Sequence, residues 1–371
     1  MRAFPLDYWN GCEERHEFPE EFFQTFARDG WLGVTIPTEY GGPGGLLREQ
    51  AAALQEVAAT GGALDACTSV HAPLLWLPAL IKFGSEEQKR TYLPRVHRGE
   101  LYVTFGVTEP DAGTDTTRIR TRAERSTSGW TISGQKVWNS GALRGDMALI
   151  LARTAPRDEA SRGRGMSLFL VGLNEPGVGI KAIPKFTRNA VASCELFLDN
   201  VEVPAEALIG TEGEGFYHLL ASLNGERLLL AAEAIGIGRW AVETSSRYST
   251  ERVVFGRPIG ANQAIQHPIA QAYVDLMAAS GLVRDAIAMY EAEPTSARMG
   301  GVVNAAKVSA TNAAFAACNA AMQTHGGYSF SREYGIARVW SEARLQQVAP
   351  ISNELALNFV AEQLLSIPRS Y

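Results

Sequence analysis

The sequence predicts a mainly α-helical protein with one β-domain inserted between two helical parts. Three observations carry this. Apolar residues recur at helical spacing up to about residue 100, then give way to short strand-like runs between about 102 and 210. From Gly215 onward helical spacing returns in four long stretches. The expected layout is an N-terminal helical domain over 1–101, a central β-barrel or sandwich over 102–212, and a C-terminal four-helix bundle over 213–371. A chain of 371 residues is long enough for two or three cores, which agrees with that division.

In the first part, Pro19 stands at a helix-entry position and Glu20 and Glu21 fill the first turn, where the helix dipole favours anions. Gly33 to Gly45 is glycine-rich and breaks the pattern. Arg48 to Ala59 resumes it, and Ser85 is placed to cap the helix that follows. In the middle part, Trp130–Val137, Met147–Thr154, Met166–Leu173 and Cys194–Val203 read as strands. Ala155 to Gly165 reads as a mobile surface loop. The last part reads as helices over Gly215–Ser249, Ala261–Tyr290, Ser296–Gly326 and Tyr334–Leu365.

Composition excludes several classes. A net charge of -6 gives no footprint for nucleic acid, and the cluster Arg118, Arg120, Arg122 and Arg125 reads as a solvated strand face. Cys12, Cys67, Cys194 and Cys318 are far apart, so neither a metal site nor a disulfide framework is expected. The N-terminus has no apolar signal core, and no window of about 18 apolar residues is read anywhere. The expectation is a soluble, cytoplasmic protein with no nucleic-acid or membrane partner.

Chemistry concentrates in Phe105 to Asp115, answered by Lys136 to Gly141. The first piece reads as a short strand stopped by Pro110, which lacks an N–H. Gly113 is read as permitting a backbone conformation closed to other residues, with Thr108, Thr114 and the amides between them facing outward as donors. Trp138 adds an aromatic plane beside Ser140. Donors plus a plane suit a flat heteroaromatic ligand, although an ordinary strand-turn with a core tryptophan has the same residues. Farther on, Leu219, Leu223, Leu230, Ala234, Ile237 and Ala241 form a helical stripe with Glu226 in its middle. Burial there raises a carboxylate's pKa unless a charge compensates, which is how a general base is made. A surface or interhelical ion pair is the other reading of Glu226 and Arg227.

The order of parts, with four short stretches at matching spacing, resembles the acyl-CoA dehydrogenase family over nearly the whole chain. Val107–Asp115 looks like the family's flavin loop, Gly134–Ser140 like its tryptophan-bearing strand, and Arg252–Gln263 and Gln323–Phe330 like its two C-terminal cofactor stretches. The resemblance implies FAD as cofactor. Phe105, Val107 and Thr108 would line the ring edge, Gly113 and Thr114 would contact the flavin or the acyl thioester, and Trp138 would pack on the ring with Ser140 near its N5. Arg252, Phe255, Gln263, Gln323, Gly326 and Gly327 would hold the pyrophosphate and adenine end, partly on a neighbouring subunit of a homotetramer or homodimer. It further implies α,β-dehydrogenation of an acyl-CoA, or an acyl-carrier thioester, to the trans-2-enoyl product, with hydride passing to flavin N5. Fatty acid metabolism and an electron-transfer flavoprotein as acceptor come with it.

One departure shapes the catalytic assignment. Most members carry their base where this chain has Pro350, and proline accepts no proton. The isovaleryl-CoA and long-chain branches take a glutamate from the long helix instead, and Leu223–Arg227 resembles that placement. Glu226 is therefore the expected base, Arg227 a substrate contact, and Glu354 the fallback base. A flavin-dependent monooxygenase or oxidase, or a non-catalytic partner subunit, would fit the same fold.

Overall fold

The computed structural model describes residues 3–369, apart from the side chain of Ala221. The reading of the N-terminus at Met1 and Arg2 lies outside the described residues. In chain order the helices are α1 (Leu6–Arg15), α2 (Glu20–Arg28), α3 (Leu47–Val57), α4 (Ala63–His71), α5 (Leu77–Phe83), α6 (Glu86–His97), α7 (Gly215–Glu251), α8 (Gln263–Ala292), α9 (Met299–His325), α10 (Ile336–Gln346) and α11 (Asn353–Leu364). The strands are β1 (Val103–Gly106), β2 (Arg122–Arg125), β3 (Gly129–Ser140), β4 (Met147–Arg153), β5 (Met166–Gly172), β6 (Val178–Ala182), β7 (Ser193–Pro204), β8 (Leu208–Ile209), β9 (Val253–Val254) and β10 (Arg257–Pro258). This is the helical, mixed-sheet and helical order that the periodicities predict.

The chain forms two compact units, one of His16–Gly45 with Thr68–Leu223, the other of Met1–Arg15, Leu46–Cys67 and Asn224–Tyr371. The first holds an eight-stranded sheet in the order β6-β7-β3-β2-β4-β5-β8, with β1 added parallel to β4. Its core gathers inward residues of the strands, including Trp130, Ile132, Phe169 and Leu196, and the Trp130 and Phe169 rings meet edge to face at 5.1 Å. β4 and β5 are buried almost throughout, which explains their unbroken apolar runs. Ser85 caps α6 as expected, its hydroxyl accepting from Gln88 N at 3.1 Å while the Gln88 side chain returns to Ser85 N at 2.9 Å. Strand β6, which sequence reading missed, is short and half-exposed and follows a turn that ends at Gly177, so it has little periodic signal.

The second unit is helical. α9 packs against α8, α10 and α11, and its contact face is built of Ala306, Ala310, Ala313, Ala314, Ala317 and Ala321. Small residues let helix axes approach closely. Gly238 of α7 makes the point, because a Cβ there would stand 2.4 Å from Leu276 and 3.1 Å from the Ala314 backbone. The expected fourth helix over Tyr334–Leu365 is two helices, α10 and α11. Pro350 removes a donor and bars its predecessor from the helical region, and Ser352 then caps α11 by accepting from Leu355 N at 3.2 Å. A second correction concerns apolar length. Leu47–Phe83 does contain a window long and apolar enough to cross a membrane, but 83% of that window is buried inside the protein, so its apolar character serves the core.

Candidate active site

The first group of site residues lies in the sheet unit, where backbone and side-chain bonds tie β1 and its loop to β3. Val137 N donates to Thr108 O at 2.9 Å. Asn139, fully buried, donates to Phe105 O at 2.8 Å, and the Thr104 hydroxyl donates to Ser140 O at 2.8 Å. Beneath them lies an ion pair that sequence reading did not single out. Lys136 is fully buried and its Nζ reaches Glu109 Oε1 at 2.8 Å and Val107 O at 3.1 Å. Glu109 also accepts from Arg120 N at 2.6 Å and Thr121 N at 2.9 Å, so all of its oxygens are satisfied. Burial works to raise the Glu109 pKa, but the Lys136 charge and these bonds outweigh it and the net displacement is downward. Burial dominates for Lys136, whose ammonium is pushed down to about 8.

The turn itself differs from its sequence reading in two ways. Glu109 N and Ala112 N bond to each other's carbonyls at 3.2 and 3.1 Å, so these amides are spent inside the turn and are not free donors. Gly113 is not in the left-handed region. Nor does packing within the chain demand a glycine, because a Cβ added there would meet no atom of the chain within 4 Å and would stand in open space. Thr108 and Gly113 line a cavity of ≈ 420 Å³ together with Val137, Trp138, Ile183 and Glu195. Trp138 has φ 63 and sits at a register shift between β3 and β7, and the residue is 57% exposed. A bulge re-aims a side chain in this way. The tryptophan is therefore a cavity wall and not a core residue. Phe105, Val107, Thr114 and Ser140 stand in the same segments without lining the cavity.

The second group lies in the helical unit. A cavity of ≈ 710 Å³ is lined by Arg252, Phe255, Arg257, Gly326, Gly327 and Tyr328 among others. The two-residue turn of the β9–β10 hairpin is Phe255 and Gly256, both with positive φ, and Phe255 is 101% exposed. A phenylalanine held in this conformation with nothing packed on it is a costly arrangement to keep without a role. Gln263 opens α8 and Gln323 lies near the end of α9, both exposed and just outside the lining residues. His325 was missed by sequence reading. Its Nδ1 donates to Ala321 O at 2.9 Å, its ring stacks on Tyr248 at 4.1 Å, and burial lowers its pKa, so the neutral ring forms another wall of this cavity.

The same unit holds the candidate bases. On α7, Leu219, Leu230, Ala234, Ile237 and Ala241 are buried as the stripe predicts, whereas Glu226 is half-buried. Arg227 beside it is buried and donates to Asn224 Oδ1 at 3.2 Å. Burial lowers the Arg227 pKa, and the Glu226 charge pulls it back up. Lys307, fully buried, donates to Ile351 O at 2.8 Å and Asn353 Oδ1 at 2.7 Å, and burial followed by the Arg227 charge pushes it down to about 8. Those bonds pin the segment that carries Pro350. Glu354 lies exposed in the first turn of α11, and its own backbone N–H and the Ser352 hydroxyl hold its carboxylate below the usual range. That depression disfavours proton acceptance. Among the described residues no cluster of His, Cys, Asp and Glu could hold a metal ion, and no disulfide forms.

In the sheet unit an exposed indole beside a cavity suits a flat ring, and in the helical unit a pair of arginines beside two glycines that face open space suits an anionic group. Comparison with known proteins gives the class. The family models "Acyl-CoA dehydrogenase, N-terminal domain", "middle domain" and "C-terminal domain" match residues 5–100, 104–201 and 213–365. An acyl-CoA dehydrogenase of Mycobacterium bovis is 37% identical over 366 residues, covering 98% of this chain and 93% of its own. The solved glutaryl-coenzyme A dehydrogenase in complex with glutaryl-CoA is 30% identical with a TM-score of 0.90, covering 100% and 93%. A glutaryl-CoA dehydrogenase of Mycobacterium smegmatis in complex with FADH2 is 27% identical with a TM-score of 0.89, covering 98% and 90%. The chain belongs to the acyl-CoA dehydrogenase family. It is an FAD-dependent oxidoreductase acting on acyl-CoA.

Proposed function

We propose that this enzyme removes the α-proton of an acyl-CoA with Glu226 and yields the trans-2-enoyl thioester. The FAD that these residues would hold would supply the acceptor of the β-hydride, at its N5. The observation that carries the assignment of the base is the contrast among three positions: Pro350 cannot accept a proton, Glu354 is exposed and depressed, and Glu226 is half-buried beside the buried Arg227. In this reading Arg227 contacts the substrate. Thr108, Gly113 and Trp138 receive the flavin ring, Phe105, Val107 and Thr114 border it, and the Ser140 hydroxyl reaches the N5 region. Arg252, Phe255, Gln263, Gln323, Gly326 and Gly327 hold the pyrophosphate and adenine, completed by a second copy in a homotetramer or homodimer. An electron-transfer flavoprotein reoxidises the enzyme, a carrier-bound thioester is the other substrate form, and the setting is cytoplasmic fatty acid metabolism.

The test is an anaerobic titration of the flavin absorbance with acyl-CoAs differing in length and branching. Wild type is expected to bleach with at least one of them. Glu226→Gln is expected to retain FAD and to slow bleaching by about 10²–10⁴-fold, the usual share of a general base. Bleaching of the variant at the wild-type rate removes Glu226 from the role. Rapid oxygen consumption without enoyl product would instead assign the oxidase reading, with which Pro350 is also compatible.

A further inference from the structure

Arg188 lies in the loop between β6 and β7, the loop whose Ile183 and Pro184 line the sheet-unit cavity opposite Val137 and Trp138 of β3. It adopts φ 60, a conformation rare outside glycine. The loop is held there by Lys185, whose Nζ donates to Arg188 O at 2.5 Å, Val191 O at 2.9 Å and Ser193 Oγ at 3.1 Å. The Arg188 guanidinium then reaches three hydroxyls on three elements. Nη1 donates to Thr68 Oγ1 of α4 at 3.1 Å, and Nη2 donates to Ser193 Oγ at 3.1 Å and Ser140 Oγ at 3.3 Å.

For Ser140 this fixes a direction. Its carbonyl is already held by Thr104, and its Cα is paired with Ser193 across β3 and β7. A hydroxyl has one proton and two lone pairs, and here a cation's N–H occupies a lone pair. An oxygen that accepts from a cation is also a stronger donor, because chained hydrogen bonds polarise one another. Resting on the reading that places Ser140 near flavin N5, we infer that Arg188 is a positioning residue that turns the Ser140 hydroxyl into an obligatory donor to the flavin. Arg188 does not itself touch the ring. Loss of the guanidinium frees the hydroxyl to rotate.

The test is a double-mutant cycle on FAD affinity, read by quenching of flavin fluorescence when apoprotein is titrated with FAD, with the visible flavin spectrum recorded alongside. Ser140→Ala and Arg188→Met are each expected to weaken binding about tenfold, roughly 1.4 kcal/mol or one hydrogen bond. The double variant is expected to bind no more weakly than the poorer single one, and both singles are expected to shift the flavin spectrum alike. Additive losses would overturn the inference, since Arg188 would then act by some route other than Ser140. Should Arg188→Met fail to fold, Thr68→Val loosens the same guanidinium and must show the same non-additivity with Ser140→Ala; additivity there overturns it equally. A Ser140→Ala protein with unchanged affinity and spectrum would instead remove Ser140 from the flavin, which is a failure of the underlying reading and not of the Arg188 geometry alone.

Discussion

The two cavity-bearing regions are built on opposite terms. The sheet-unit region is finished within its own unit: a buried ion pair, satisfied carboxylate oxygens and three cross-strand bonds hold the turn and Trp138 before any ligand arrives. The helical-unit region is open. Phe255 is 101% exposed on a hairpin whose four strand residues are all exposed, and the Arg252 guanidinium lies 5.7 Å over the Tyr328 ring. The lesson concerns where binding energy goes. In the first region folding has already met the cost of ordering, so the site is stiff. In the second, ordering is left to whatever covers it, in keeping with the proposal that FAD and a second copy complete it.

Three substitutions sharpen or break that contrast. The largest effect is expected from Lys136→Met. It leaves Glu109 buried without its counter-ion, which costs about 3–5 kcal/mol, and urea unfolding followed by tryptophan fluorescence should show it. A loss below about 1 kcal/mol, the range of surface pairs, would mean that the pair does not stiffen the turn.

Next comes pH. Lys136 and Lys307, one in each unit, are both pushed down to about 8, chiefly by burial, against about 10.4 for an exposed lysine. The unfolded chain therefore binds more protons than the folded one between pH 8 and about 10.4, and stability rises with pH across that window, by at most about 1.4 kcal/mol per unit for each lysine. Below pH 8 both states are protonated and the slope vanishes. The stability difference between wild type and Lys307→Met should therefore change in wild type's favour from pH 8 to 10. A difference that stays flat would show that Lys307 titrates at its ordinary value.

The smallest effect on folding is expected at the open region. Phe255→Ala removes a side chain that packs on nothing within the chain, so thermal unfolding of the apoprotein should move by less than about 0.5 kcal/mol. The same variant should lose FAD on gel filtration while wild type keeps it. Destabilisation of the apoprotein with FAD retained would reverse the account of this hairpin.

Much of this was legible in the residues and some of it was not, for physical reasons that differ by place. Trp130, Ile132 and Leu196 announce a strand core through alternation, and Ser85 with Gln88 announces a helix start, because both signals are local. The break between α10 and α11 was also local, since Pro350 stands in plain view, yet the apolar spacing on either side masked it. Glu226 was placed on a buried stripe and is half-buried, because a 100° wheel gives an angle and not the depth of the neighbours at that level. Lys136 and Glu109 are 27 residues apart, and Arg188 and Thr68 are 120 apart. No periodicity connects such pairs.

The sequence by itself determined the order of helical, sheet and helical parts, the turn at Pro110, and the cap at Ser85. Each of those follows from a residue's own covalent geometry or from spacing along one element. The tertiary structure alone decided that Gly113 does not use a left-handed backbone, that the Glu109 and Ala112 amides are spent on each other's carbonyls, and that Lys136 neutralises Glu109. Those outcomes depend on what lies across the fold, and burial there makes each unmet polar group costly enough to dictate its partner.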